Sequence, residues 1–202
     1  MNKENLYTPN CIRTYSGKYF NVSNPDIDLI DIEDIAHALS RNQRFGGHLE
    51  QVYSVAEHCL FCESLIEKPE NRLAALLHDA SEAYIMDIPT PVKQQIREYY
   101  NFENKLMHLI AKKFGFKFPL ADEVKEVDKI MLEAEWECLM LKKDNPITPY
   151  FIEKSPQLAK SLFLSKFKEL VSISISLPKL SAMYWKMKDG LFPNLHYTLL
   201  RE

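Results

Sequence analysis

Residues 76–82 read Leu-Leu-His-Asp-Ala-Ser-Glu and carry the side chains best suited to chemistry in this sequence. They lie in an otherwise apolar run, residues 73–84, which predicts a helix. Glu82 follows His78 by four residues and Asp79 by three, and residues at these spacings share one face of a helix. An adjacent His-Asp pair offers a nitrogen and an oxygen to a divalent metal, and Glu82 can act on a water beside it.

A single His-Asp pair is a weak motif, because an ordinary pair on a helix surface explains it more often. Further ligands elsewhere in the chain would strengthen the metal interpretation. His58 lies beside the apolar stripe of a helix that begins at the capping box Ser-Val-Ala-Glu, residues 54–57, although a lone histidine there is more often a core residue. Asp128 lies within the apolar stripe predicted for residues 121–142, where a carboxylate is costly unless it is paired or bound to metal.

Two imidazoles and two carboxylates suit a first-row divalent metal such as manganese, cobalt, iron or zinc. Magnesium prefers ligation by oxygen alone. Cys59 and Cys62 form a C-x-x-C pair, a spacing that can bind zinc or perform redox chemistry. No second pair completes a zinc site by spacing, and both cysteines lie on the apolar side of their predicted helix. We interpret them as small core residues.

The loop predicted for residues 41–52 contains Arg44-Phe45-Gly46-Gly47-His48. The paired glycines prevent regular helix and allow the backbone to approach a ligand closely. An arginine followed by an aromatic residue can bind a phosphate and stack on a base. A plain connector explains the same loop equally well, so the residues alone leave its role open.

Bulk properties exclude several classes of protein. The chain has 202 residues, a net charge of −3 and a pI near 6.1, which argues against a stable nucleic-acid complex. No apolar run approaches the roughly 18 residues that span a bilayer, so no membrane association is expected. Reduced cysteines and the lack of a signal peptide predict a cytoplasmic protein.

The periodicity predicts an all-α fold with a short irregular or β-hairpin N-terminal lead-in, in which Gly17 marks a turn. Thr90 is expected to cap a helix with Pro91 at its first position, and Gly115 to end that helix. Residues 173–176 alternate Ile and Ser and predict a short strand. We predict helices over residues 31–40, 54–66, 73–84, 91–114, 121–142 and 155–172.

The order of these candidates resembles the HD-domain phosphohydrolase superfamily, and the local sequence is most similar to its bacterial 5'-deoxynucleotidases. The resemblance covers roughly residues 30–140. The matching segments are SVAEH at 54–58, HDASE at 78–82, DIPTPVK at 87–93 and VKEVD at 124–128. It implies an HD-domain helical bundle, which we place as a metal-dependent phosphohydrolase core over residues 31–150. Outside the resemblance, we expect a lead-in over residues 1–30 and a C-terminal helical extension packed on the core over residues 151–202.

The resemblance also implies roles for individual residues. The metal ligands would be His58, His78, Asp79 and Asp128. Glu82 would orient or deprotonate the attacking water, and Asp87 would protonate the leaving sugar oxygen. Arg44 and Phe45 match an arginine and an aromatic residue that help hold phosphate and sugar in that family. We also expect His48 and Lys93 to bind substrate. The family more usually has Trp where this chain has Phe45, and the Gly-Gly-His run that follows is a departure from its pattern.

We therefore predict a metal-dependent phosphohydrolase that removes the 5'-phosphate from deoxynucleoside monophosphates, with a small-molecule nucleotide as its partner. Mn²⁺ or Co²⁺ is the expected cofactor, and Fe²⁺, Zn²⁺ and Ni²⁺ are compatible. The alternatives are an HD-domain triphosphohydrolase or other nucleotide phosphoesterase, and a non-catalytic nucleotide-binding protein. A triphosphate pocket should need more cations than Arg44 and Lys93 supply. A homodimer is compatible with the sequence.

Overall fold

The computed structural model describes residues 8–143 and 151–188, with side chains for residues 8–143 and 151–172. The chain forms two compact units, residues 1–167 and 168–202. The described chain is mostly helical with one two-stranded hairpin near its N-terminus, so the all-α prediction is confirmed. The predicted extension over residues 151–202 is described to residue 188, and its packing on the core stays a prediction.

The hairpin pairs β1 (Cys11–Arg13) with β2 (Tyr19–Asn21) in antiparallel register, and Gly17 lies in the turn between them. The ring of Phe20 is buried and stacks on Tyr84 with their centroids 4.2 Å apart. The hydroxyl of Tyr84 accepts a hydrogen bond from the backbone N–H of Asp31. The lead-in is thereby packed against the segment that carries the candidate catalytic residues.

Eight α-helices follow the hairpin within the described residues. A 3-10 turn at Ile27–Leu29 precedes the first of them, another at Arg44–Gly47 lies between the first and second, and a π-helical turn at Trp136–Met140 extends the seventh. They are α1 (Ile32–Leu39), α2 (Val55–Ser64), α3 (Pro69–Leu76), α4 (Glu82–Ile85), α5 (Thr90–Lys93), α6 (Arg97–Phe114), α7 (Asp122–Glu135) and α8 (Pro156–Lys188).

Local signals placed several helix ends correctly. Asp31 caps α1 by accepting from the N–H of Glu33. Ser54 and Glu57 form the predicted capping box at the start of α2, in which the serine hydroxyl and backbone N–H both donate to the Glu57 carboxylate. Gly115 follows α6 with φ of 78°, in the left-handed region that glycine enters without a steric penalty.

The single helix predicted over residues 73–84 is wrong. Helix α3 ends at Leu76, residues 77–81 form a turn, and α4 begins at Glu82. The carbonyl of Ala75, which would bond the N–H of Asp79 in a continuous helix, instead accepts from Nδ1 of His78 at 2.7 Å. The break thus follows from a side chain taking the place of a backbone donor.

Two further predictions are corrected. The helix expected over residues 91–114 is two helices, α5 and α6, separated by Ile96 in an extended conformation, and Thr90 is the first residue of α5 rather than its cap. Residues 173–176 lie within α8 and not in a strand, because a helix propagates at little cost once formed and local strand propensity is a weak preference.

Helices α2, α3 and α7 pack against one another and enclose a hydrophobic core. The buried residues of this core are Tyr53, Cys62, Ile66, Ala74, Ala75, Val124, Val127, Met131, Cys138 and Phe151. Helix α1 packs on α4. Among the described helices, none has the length and apolar content needed to cross a membrane.

We expect Ser54→Ala to lower the free energy of unfolding by about 1 kcal/mol, because the capping box at the start of α2 would lose its hydroxyl. Urea denaturation followed by circular dichroism measures the change. Ser64→Ala is the matched control, since its exposed hydroxyl donates to the carbonyl of Phe61 near the other end of the helix. Equal stability of the two variants would contradict the assigned role of the cap.

Candidate metal centre

Four predicted ligands from three parts of the chain lie close together. His58 is supplied by α2, His78 and Asp79 by the turn after α3, and Asp128 by α7. Nε2 of His58 lies 3.2 Å from Nε2 of His78 and 3.0 Å from Oδ1 of Asp128. Oδ2 of Asp79 lies 3.3 Å from Nε2 of His78. These separations are those of neighbouring ligands around one ion with bonds near 2 Å.

The hydrogen bonds of the two imidazoles fit a metal. Nδ1 of His58 lies 2.6 Å from Oε1 of Glu135, and Nδ1 of His78 lies 2.7 Å from the carbonyl of Ala75. Both partners are acceptors, so each Nδ1 carries the proton and donates. When both imidazoles are neutral, the two Nε2 atoms present lone pairs towards each other and towards the carboxylates. A cation between them removes this repulsion, and the residues present therefore fit a divalent metal.

The charge distribution also favours a cation at this point. Burial lowers the pKa of His78, but the Asp79 and Asp128 carboxylates outweigh it and raise that pKa well above its ordinary value. Burial would raise the pKa of Asp79, yet His78 holds it at about 2. The carboxylates therefore stay ionised, and the imidazoles beside them are in surroundings that stabilise positive charge.

Glu135 holds His58 in place and was missed as a site residue by the sequence interpretation. It is fully buried at the end of α7. Besides Nδ1 of His58, its carboxylate accepts from the hydroxyl of Tyr53 at 2.8 Å, and from Nε and Nη2 of Arg44 at 3.2 and 3.0 Å. Its position seven residues after Asp128 puts both on one helix face, which is the signal that would have found it.

Asp128 is less buried than its place in the apolar stripe predicts. Its side chain is 44% exposed, whereas Val124, Val127 and Met131 on the same helix enter the core. The carboxylate lies at the edge of that stripe and borders a cavity. Burial raises its pKa, but His58 and His78 hold that pKa well below its usual range.

Cys59 and Cys62 are both buried and free, as expected for core residues. They also lie closer to the centre than the sequence predicts. Sγ of Cys62 is 3.5 Å from Nε2 of His58, and Cys62 forms a group with His58, His78 and Asp128 whose ligand atoms all lie within 4.8 Å of one another. Cys59 groups instead with His78 and Asp79, so the C-x-x-C pair does not act as one chelating unit.

A cavity of about 600 Å³ opens from this centre. Its wall contains all the predicted catalytic and substrate residues: Arg44, Phe45, His48, Glu82, Asp87 and Lys93. Glu82 is buried, and its Oε2 has no hydrogen-bond partner among the described residues. Burial and the carboxylates of Asp79 and Asp87 raise the pKa of Glu82 well above its ordinary value. An unpartnered buried carboxylate oxygen indicates that a ligand or water completes its bonding.

The two cations of the cavity wall already have acidic partners. Arg44 uses Nε and Nη2 on Glu135, and its Nη1 lies 3.8 Å from Oδ2 of Asp87. Lys93 donates to Glu103 at 3.0 Å and lies 3.8 Å from Oε1 of Glu82. A largely buried guanidinium needs a counter-ion, so Arg44 is a structural partner of Glu135 as well as a candidate for substrate binding.

We expect Glu135→Gln to weaken Mn²⁺ binding by about 10- to 100-fold, because His58 would lose the carboxylate that fixes its tautomer and orientation. Isothermal titration of the purified variant with Mn²⁺ measures the affinity, and circular dichroism checks that the variant is folded. Glu133→Gln is the control, because Glu133 is exposed on the same helix. Unchanged affinity in a folded Glu135→Gln variant would contradict the positioning role.

No protein-family model matches the chain. Its sequence is 38% identical over 169 residues to the uncharacterized protein YfdR of Escherichia coli (strain K12), an alignment that covers 79% of this chain and 94% of YfdR. It is 32% identical over 163 residues to the uncharacterized protein RCAP_rcc00048 of Rhodobacter capsulatus, covering 74% of this chain and 83% of that protein. Because the identity and coverage are high along nearly the whole of YfdR, the chain belongs to the same protein family as YfdR.

Proposed function

We propose that the protein is a metal-dependent phosphohydrolase that removes the 5'-phosphate from deoxynucleoside monophosphates. The observation that carries this proposal is that two imidazoles and two carboxylates converge at a cavity whose wall also holds Glu82 and Asp87. The resemblance of the same residues to the HD-domain phosphohydrolases supports the choice of reaction and of substrate class.

The proposed cofactor is one divalent transition metal held by His58, His78, Asp79 and Asp128. Mixed nitrogen and oxygen ligands favour Mn²⁺ or Co²⁺, and Fe²⁺, Zn²⁺ and Ni²⁺ are also compatible with them. When bound, such an ion would polarise a phosphate oxygen and lower the pKa of a water molecule.

The remaining chemistry falls to two carboxyl groups of the cavity. Glu82 accepts a proton from the attacking water, whose oxygen forms the new bond to phosphorus. Burial, Asp79 and Asp87 raise the pKa of Glu82, and the charge of a bound divalent cation would oppose that rise and favour the ionised carboxylate. Asp87 gives a proton to the sugar oxygen as its bond to phosphorus breaks. Burial and Asp79 raise the pKa of Asp87, against the opposing effect of Arg44, so this carboxyl group holds a proton more readily than an exposed aspartate.

The cations of the cavity favour a monophosphate over a triphosphate. Nη1 of Arg44 and the ammonium of Lys93 offset the charge of a bound phosphate. Since both groups also balance acidic neighbours, little positive charge is left for two further phosphates. A triphosphate would bring additional negative charge into a wall that already carries Asp79, Glu82 and Asp87.

We expect phosphate release from deoxynucleoside 5'-monophosphates when Mn²⁺ or Co²⁺ is added to the purified protein. A panel of mono- and triphosphates, with inorganic phosphate, pyrophosphate and tripolyphosphate measured separately, tests the reaction. Release of tripolyphosphate from deoxynucleoside triphosphates would favour the triphosphohydrolase alternative. No turnover of any substrate with any of the five metals would refute the proposed activity.

We expect Glu82→Gln to keep Mn²⁺ and to lose about 10²- to 10⁴-fold in turnover, because the amide cannot accept the proton of the water. The four candidate ligands, His58, His78, Asp79 and Asp128, remain to hold the metal. Asp128→Asn is the matched comparison: it should lose both metal and turnover. Metal content by atomic absorption, measured beside the rate, separates the two. A Glu82→Gln variant without metal would move this residue into the ligand set.

A further inference from the structure

Trp136 has an unusual position for a large apolar side chain. It follows the buried Glu135 directly and begins the π-helical turn Trp136–Met140, which the bond from the N–H of Leu141 to the carbonyl of Trp136 closes. The residue is 46% exposed and lines the cavity that opens from the candidate metal centre. Single π turns within helices often occur at functional sites. Here the turn places an indole at the cavity, next to the carboxylate that holds His58.

Phe45, on the loop before α2, lines the same cavity. The centroids of the Phe45 and Trp136 rings are 6.1 Å apart and their planes are tilted by 45°. Phe45 adopts φ of 55° and ψ of 31°, a left-handed conformation that is uncommon for a residue other than glycine. Such local strain persists only where the surrounding structure enforces it.

The aromatic pair lies beside the polar end of the cavity. The guanidinium carbon of Arg44 is 5.6 Å from the centroid of the Phe45 ring, and Arg44 reaches towards Asp87 with Nη1. Leu132 and Met140 extend the apolar wall on the side of Trp136. The cavity therefore has cations and carboxylates at one end and exposed aromatic surface next to them, an arrangement that matches a ligand with a phosphate at one end and a flat apolar group at the other.

We propose that Phe45 and Trp136, whose rings contact each other, form an aromatic clamp on which the nucleobase of the substrate stacks, and that this clamp selects nucleotides over base-free sugar phosphates. This inference rests on the proposed function. Bases stack on aromatic side chains whatever their hydrogen-bonding edges, because each base has a π face. The clamp accordingly accepts several bases, and it distinguishes a nucleotide from a sugar phosphate that has no base. Trp136 supplies, from the π turn after α7, an indole that the loop lacks because Phe45 stands where the resembling family more usually has Trp.

The kinetic test compares deoxyadenosine 5'-monophosphate with 2-deoxyribose 5-phosphate, which has the same phosphate and sugar but no base. We expect Trp136→Ala to lower kcat/KM on the nucleotide by about 10-fold, the order expected for one lost stacking contact, and to leave the sugar phosphate unchanged. Trp136→Phe should retain most of the nucleotide activity. Tyr15→Ala, which removes a 60% exposed aromatic that does not line the cavity, is the control.

Equal losses on the two substrates, or no loss on either, would overturn the clamp while leaving the hydrolase proposal intact.

A binding measurement tests the clamp without relying on hydrolysis. The chain has two tryptophans, so Trp185→Phe leaves Trp136 as the reporter, and in the Glu82→Gln background the nucleotide is bound without rapid turnover. With Mn²⁺ present throughout, we expect saturable quenching of tryptophan fluorescence by deoxyadenosine 5'-monophosphate and none by 2-deoxyribose 5-phosphate.

If Trp185→Phe does not fold, the difference in quenching between Glu82→Gln and Glu82→Gln/Trp136→Phe gives the same information. Quenching by the nucleotide in the Glu82→Gln background, combined with no hydrolysis of any phosphate monoester by the wild-type protein, would refute the proposed activity and support the clamp. No nucleotide-dependent signal from Trp136 in a protein that hydrolyses both substrates would refute the clamp alone.

Discussion

The buried carboxylate of Glu135 is the interaction on which the rest of the centre depends. A fully buried charge is costly to desolvate, and it is stabilised only when its lone pairs are occupied by well-placed donors. Glu135 meets this condition by accepting hydrogen bonds from the hydroxyl of Tyr53, from Nε and Nη2 of Arg44, and from Nδ1 of His58. These donors come from the loop before α2 and from α2 itself, while the carboxylate comes from α7. One satisfied charge thereby sets the distance between the elements that carry the metal ligands, the cation and the aromatic residue of the cavity.

Helix α7 distributes side chains between core and cavity through its period. Val124, Val127 and Met131 enter the core with α2 and α3. Asp128 and Glu135 lie two turns apart on the adjoining face. The carboxylate of Asp128 contacts Nε2 of His58, and that of Glu135 contacts Nδ1 of the same ring. The helix ends at Glu135 and continues as a π turn, which widens the helix by one residue per turn just where Trp136 reaches the cavity. The same element therefore sets the spacing between ligand, outer partner and aromatic surface.

Local sequence signals predicted the parts of the fold that local interactions decide. The capping box at Ser54 and the stop at Gly115 depend on neighbours within a few residues, and both were placed correctly. The break after Leu76 was not predicted, because it depends on the His78 ring taking the carbonyl of Ala75. The partners of Arg44 were not predicted either, since Glu135 lies 91 residues further along the chain. The four candidate ligands were identified by their types and order, whereas Glu135 and Trp136 required a knowledge of which face of α7 meets the cavity.

The charges of the cavity explain why a divalent cation and an anionic substrate belong together here. Its wall carries the carboxylates of Asp79, Glu82, Asp87 and Asp128, against the cations Arg44 and Lys93. A phosphate entering this wall alone would meet an excess of negative charge, and the low-dielectric surroundings would strengthen the repulsion. Burial, together with the neighbouring carboxylate of Asp79, raises the pKa values of Glu82 and Asp87. A divalent metal at the four ligands would offset this excess, so that a phosphate would be able to approach Arg44 and Lys93 beside their acidic partners. The acidic wall, which would be unfavourable for a phosphate site on its own, is therefore a consistent feature of one that binds metal and phosphate together.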